Sequence, residues 1–124
     1  MKNREYHIPF SGLKEGKHQF EFAIDNTFFN AYDFNDFNAA ELNVHVTLKK
    51  LSTMMELAFE ATGSVRVNCD TTNEPFDLPL QSSLDLVVKF GEAFDNENEA
   101  LLVLPHGEHQ VDVSQYIYEM IVLA

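Results

Sequence analysis

Residues 65–80, VRVNCDTTNEPFDLPL, contain two apolar segments on either side of a polar turn, together with the chain's one cysteine. Apolar side chains alternate with polar ones on both sides, at Val65, Val67, Phe76, Leu78 and Leu80. A period of two is typical of strands with one buried and one solvated face. Between the segments, Asp70 and Asn73 suit the backbone of a turn, and Pro75 begins the next strand with φ fixed. The stretch therefore predicts two strands joined by a tight turn.

The same alternation runs outward through most of the chain. It predicts strands near residues 6–10, 20–24, 42–48, 55–67 and 76–90, with a turn or bulge at Gly63 and an edge position or bulge at Pro79. The first two strands flank a turn at 12–16 and are expected to form a hairpin. Residues 26–40 break the period and predict a short helix or an irregular covering loop.

A helical pattern replaces the alternation near the C-terminus. Asp112 and Gln115 have the spacing of a capping box, and Val111 and Tyr116 that of its hydrophobic staple. One helical stripe follows at Val113, Tyr116, Ile117, Met120, Ile121 and Leu123. We therefore predict an α+β fold: a mostly antiparallel sheet, sandwich- or barrel-like, with a short helical segment after the first hairpin and a C-terminal helix.

Composition limits the classes of function. The chain has 124 residues, which fits one domain, and 20 acidic against 8 basic residues give a net charge of −12. Such a chain repels phosphate backbones. Residues 1–124 are expected to be a single domain, cytoplasmic because one cysteine builds no disulfide framework, and without a membrane span.

Few side chains are placed for catalysis or metal binding. Cys69 shares the strand parity of Val65 and Val67, so the interpretation as a small core residue outweighs that as a nucleophile or metal ligand. His106 and His109 lie three apart, but the sequence specifies no third ligand, and a surface loop is the simpler interpretation. The chain contains no glycine-rich phosphate loop and no nucleophile elbow. The residues support neither an enzyme nor a bound cofactor.

Two motifs resemble the YceD family, bacterial and plastid proteins linked to accumulation of large-subunit ribosomal RNA. The first is V-x-V-x-C-D-x-x-x-E-P-F at 65–76, and the second is D-V-S-Q-Y-I-Y-E at 112–119. Much of that family carries C-x-x-C in the first motif, whereas here Thr72 stands at the second position. A zinc site built on paired cysteines is therefore not expected in this chain. Many relatives also continue past the helix into a further tail, which is not expected in this chain.

The resemblance implies a non-enzymatic factor in ribosome biogenesis. With the charge, it predicts a basic ribosomal protein or assembly factor as partner, and only indirect contact with ribosomal RNA. The expected contact surface comprises the turn and an acidic loop, at Asp70, Asn73, Glu74, Glu92, Asp95, Glu97 and Glu99, with a patch at Asp33 and Asp36. Two alternatives stay open: a ligand-binding β domain with a cavity lined by Phe20, Phe59 and Phe90, and a metal-dependent enzyme using His106 and His109.

Overall fold

The computed structural model describes residues 6–32, 37–69, 71–98 and 100–123, with the backbone alone at 96–98. Its strands are β1 (His7–Pro9), β2 (Gly16–Asp25), β3 (Ala39–Lys50), β4 (Met54–Asn68), β5 (Pro75–Gly91), β6 (Asp95–Asn98), β7 (Leu101–Pro105) and β8 (Gln110–Asp112). Its helices are α1 (Asn26–Asn30) and α2 (Ser114–Val122). The predicted mostly antiparallel architecture with a C-terminal helix is confirmed.

The strands form one large sheet and one small one. The large sheet has the order β2-β3-β4-β5-β7-β6, and all its neighbouring pairs are antiparallel except β5 and β7, which are parallel. It is an open sheet, because its outer strands β2 and β6 do not pair with each other. The prediction of a barrel-like closure is therefore wrong for the described part of the chain.

The small sheet corrects the prediction of the first hairpin. β1 pairs with β8, where Ile8 lies opposite Val111, and β2 pairs with β3. The partner of β1 thus lies about a hundred residues further along the chain. Ile8 and Val111 are both buried, so this pairing brings the chain's two ends together over the core.

The alternation of the central strands produces a large sheet with two different faces. The inner face of β3 and β4 is buried at Leu42, Val44, Val46, Leu48, Met55, Leu57, Phe59, Ala61 and Val65. The intervening residues form the outer face, which is polar. Gly63 lies within β4 in regular register opposite Leu42, so the predicted turn or bulge there is wrong.

The two helices lie on the inner face. α1 packs on β2 and β3, with Phe28 and Phe29 buried, while α2 packs on β4 and β5. Asp25 is the N-cap residue of α1, and its carboxylate accepts a hydrogen bond from the N–H of Thr27 at 2.9 Å. The short helix predicted within 26–40 is confirmed, and Phe20, Phe59 and Phe90 join the packed core cluster.

α2 starts one residue later than the predicted capping box implies, with Val113 rather than Asp112 at the N-cap position. Asp112 still serves the helix start, since its Oδ1 accepts from the N–H of Ser114 at 2.9 Å and from Ser114 Oγ at 2.7 Å. Gln115 does not reach back, because its amide donates to Glu119 at 2.8 Å. The predicted stripe is buried at Val113, Ile117, Met120 and Ile121, but Leu123 is 79% exposed.

Candidate functional site

The predicted turn joins β4 to β5 through backbone hydrogen bonds. The N–H of Cys69 donates to the carbonyl of Glu74 at 2.8 Å, and the N–H of Asn73 donates to the carbonyl of Cys69 at 2.7 Å. Asn73 has φ of 60°, a left-handed conformation that asparagine tolerates better than most residues. Asn73 and Glu74 are both exposed, and Asp70 lies outside the described residues. The turn therefore presents one described carboxylate, that of Glu74, to solvent.

Thr72 has a local role in this turn. Its Oγ1 accepts from the N–H of Glu74 at 3.3 Å, a common stabilising bond in turns. Thr72 occupies the position where the resemblance leads one to expect a second cysteine. The turn is thus held by hydrogen bonds within the protein itself.

Cys69 is less buried than predicted. It follows the inner-face positions Val65 and Val67, but burial falls along this line, from a fully buried Val65 to a half-buried Cys69. The reason is the length of the strands, because the last pair between β3 and β4 joins Ala39 to Arg66. Beyond it, β4 and β5 continue as a two-stranded ribbon. Cys69 therefore lies on the predicted face of β4, but the prediction that it is a core residue is wrong, because it is only half-buried.

The inner face of β5 shows the same gradient. Leu86 and Val88 are buried, and Leu80 and Leu84 are half-buried, whereas Phe76 is 43% and Leu78 is 39% exposed. Large apolar side chains with this much exposure on neighbouring positions of one face form a contiguous apolar surface.

Pro75 and Pro79 each remove a backbone N–H donor from the edge of β5 beside this surface. Across its first half, β5 pairs with β4 on one side, and β7 pairs only with its last residues, 87–91. The N–H of Val87 and the carbonyl of Gly91 bond toward the β7 side, so odd-numbered residues direct their backbone groups away from β4. The N–H groups that the two prolines lack would therefore have pointed to the open edge. The predicted edge position of Pro79 is confirmed.

The acidic segment lies far from the turn. Glu92 and Asp95 are exposed and follow the C-terminal end of β5, whereas Glu74 precedes its N-terminal end. Since β5 has 17 residues, these groups are separated by roughly 50 Å. Part of the predicted loop is the strand β6. Glu97 and Glu99, like Asp33 and Asp36, fall where the structure describes no side chains.

His106 and His109 lie in the exposed connection between β7 and β8. Its backbone is used structurally, because the His109 carbonyl accepts from the N–H groups of Phe10 at 3.0 Å and Ser11 at 3.3 Å. Among the described residues, no group of three or more His, Cys, Asp and Glu side chains is arranged to hold a metal ion.

The outer face of the large sheet carries acidic side chains that the sequence analysis did not single out. They are Glu21, Asp25, Glu41, Glu56, Glu60 and Asp85, all exposed. His45 sits in one cross-strand row between Glu21 and Glu60, with Nδ1 3.3 Å from the Glu21 carboxylate. The outward parity of these residues within the predicted strands is the signal that would have found them.

Tyr116, in α2, and Tyr32, which stacks on Tyr118 of α2, both have raised pKa values. Burial is the main cause that raises the pKa of Tyr116 above 10.0, and the Glu119 carboxylate adds to it. Burial also raises the pKa of Tyr32. Within the described structure, the Tyr116 hydroxyl is buried and has no hydrogen-bond partner. Tyr116 also lines a groove of about 230 Å³ together with Leu84, Glu119, Met120 and Leu123.

A family model described as large ribosomal RNA subunit accumulation protein YceD matches residues 57–124, more than half of the chain. The chain belongs to the YceD family. The match includes most of β4, the turn, β5 and α2, so the exposed apolar surface lies entirely within the YceD region. No curated protein and no solved structure matched the chain. No helix of the described chain is both long and apolar enough to cross a bilayer.

Proposed function

We propose that this chain is a non-enzymatic factor that supports large-subunit ribosomal RNA accumulation through a basic protein partner. The family description names the process and supports the ribosomal part of the proposal. The net charge of −12 is the observation that carries the second part. A basic ribosomal protein or assembly factor is attracted by such a chain, whereas a phosphate backbone is repelled.

The positions of the basic side chains strengthen the argument against direct RNA binding. Arg66 donates to the Asp77 carboxylate at 2.9 Å, and Lys50 Nζ donates to the carbonyls of Phe10 and Leu13 at 2.7 and 2.8 Å. Lys17 and Lys49 lie opposite each other on the outer face, next to Glu56. A basic area this small can neutralise few phosphates, whereas affinity for nucleic acid requires many such contacts.

A gel shift with purified chain and large-subunit RNA fragments tests the charge argument. We expect no shifted RNA at about 0.15 M salt, where the Debye length is about 8 Å. Tight, salt-sensitive binding of RNA by the isolated chain would contradict the proposal. It would indicate that the lysines around Lys17 and Lys49 outweigh the acidic total.

The ribosomal role itself is tested in cells. Deleting the gene should lower the level of mature large-subunit ribosomal RNA relative to small-subunit RNA, and the intact chain should restore it. Unchanged RNA levels after deletion would contradict the proposed role.

A further inference from the structure

Apolar side chains on the inner face of β5 and in the groove beside α2 form a strip that Ser82 interrupts once, and Phe76, Leu78 and Leu123 are its exposed members. Phe76, Leu78, Leu80 and Leu84 share the inner face of β5, and Leu84 meets Met120 and Leu123 in the groove beside α2. We call these six residues the apolar strip. From residue 76 to residue 84 the strip is about 26 Å long, at roughly 3.3 Å per residue. α2 covers the inner face beyond this point, so the described chain leaves that face of β5 most open at Phe76 and Leu78.

Charge around the strip is negative. Glu119 lines the groove at one end, and Glu74 is exposed in the turn at the other. The described basic residues lie on the outer face or toward the opposite end of the sheet, at Lys14, Lys17, Lys49, Lys50, Arg66 and Lys89. An occupant that is apolar on one side and cationic at its flanks complements this surface.

Two other occupants fit less well. A second copy adding a strand to β5 would meet Pro75 and Pro79, which remove donors from the open edge. A second copy packing face to face would bring two chains of −12 together, and an anionic membrane surface would be repelled for the same reason. The strip therefore favours a basic protein over a second copy or a lipid surface.

We propose that the apolar strip is the docking site for a cationic amphipathic segment of the partner protein. This inference rests on the proposed function for the existence of a basic partner and adds the place and mode of contact. A helix of about 18 residues spans the strip, since each residue rises 1.5 Å. Its apolar side would cover Phe76 and Leu78, while its lysines or arginines approach Glu74 and Glu119.

A binding assay with a defined probe tests the inference. The probe is a fluorescent peptide of about 18 residues in which leucines recur every three or four residues among lysines, which gives one apolar helical face. The comparison peptide has the same composition in scrambled order. We expect the amphipathic peptide to bind at least about tenfold more tightly than its scrambled form. The double variant Phe76→Ser, Leu78→Asn should bind it at least about tenfold more weakly than the unchanged chain.

Phe94→Ser is the matched control. Phe94 is 58% exposed but follows the far end of β5, so its loss should leave peptide binding within about twofold. Circular dichroism verifies that the double variant is folded, which is expected because both of its residues are partly exposed. Equal binding of the two peptides, equal effects of the two variants, or sedimentation of the unchanged chain as a dimer that the double variant abolishes would overturn the inference.

A complementation assay separates this inference from the proposed function. In cells that lack the gene, the Phe94→Ser chain should restore large-subunit RNA and the double variant should not. If the double variant restores RNA as well as the unchanged chain does, the strip is not the docking site, although the ribosomal role stands. If deletion itself leaves the RNA unchanged, the ribosomal role fails, and the peptide assay alone decides on the strip.

Discussion

Gly63→Ala is expected to destabilise the sheet strongly, because this position has no room for a side chain. Gly63 has φ of 152°, and a Cβ there would lie 2.2 Å from the Glu41 carbonyl oxygen and 2.7 Å from Leu42 Cα. Both obstacles are backbone atoms of β3, so no side-chain rotation relieves the contact. β3 and β4 would have to separate locally in the middle of the sheet.

The magnitude follows from two contributions. Backbone strain at such a φ costs about 1–3 kcal/mol, and each ladder hydrogen bond that is lost costs about 1 kcal/mol more. We expect a total loss of about 3–5 kcal/mol in the free energy of unfolding, measured by urea denaturation followed by circular dichroism. Gly12→Ala is the control, because no atom lies within 4 Å of its added Cβ, and it should change stability by less than about 1 kcal/mol. A Gly63→Ala chain within 1 kcal/mol of the unchanged protein would refute the reasoning.

Two further predictions concern single side chains. Tyr116→Phe removes a buried hydroxyl that has no described partner, so stability at neutral pH should stay equal or rise by up to about 1 kcal/mol. Because burial raises the folded-state pKa of Tyr116 above 10.0, ionisation of this group destabilises the folded chain as the pH rises above 10.0, and the variant should lose less stability there than the unchanged chain. A neutral-pH loss above 1 kcal/mol would mean that the hydroxyl is bonded. Cys69→Ala should cost about 1 kcal/mol or less and leave peptide binding intact, and zinc present in the unchanged chain but absent from the variant would contradict this.

Much of the large sheet was predictable because its signal is local. Alternation at Leu42–Leu48 and Met55–Ala61 depends on one strand having one buried face, which neighbouring residues reveal. The partner of β1 was not predictable in this way, since Ile8 and Val111 are far apart in the sequence. β7 was missed because residues 101–104 are all apolar, so the sequence shows no alternation there although the burial of the strand alternates.

The candidate site was predicted in its turn but not in its exposure. Asn73 and Pro75 are recognisable from turn chemistry alone. The apolar period of β5 runs from Phe76 to Phe90 with one interruption, at Ser82, and both halves are equally apolar, so the sequence could not distinguish the covered half from the open half. That distinction depends on where β3 ends and where α2 crosses, and both are properties of the tertiary structure.

The unequal lengths of the strands connect the fold to the proposed docking. β4 and β5 have 15 and 17 residues, whereas β3 has 12, so the hairpin extends beyond its neighbour. The extension leaves Cys69 half-buried and Phe76 open, while the Asn38 amide, which donates to Asn68 at 2.8 Å, braces the base of the ribbon. Exposed Phe and Leu side chains gain no free energy of burial in the isolated chain, so this apolar surface does not stabilise the fold. Burial against the proposed partner would supply that energy, and the acidic flanks would direct a basic partner toward the strip.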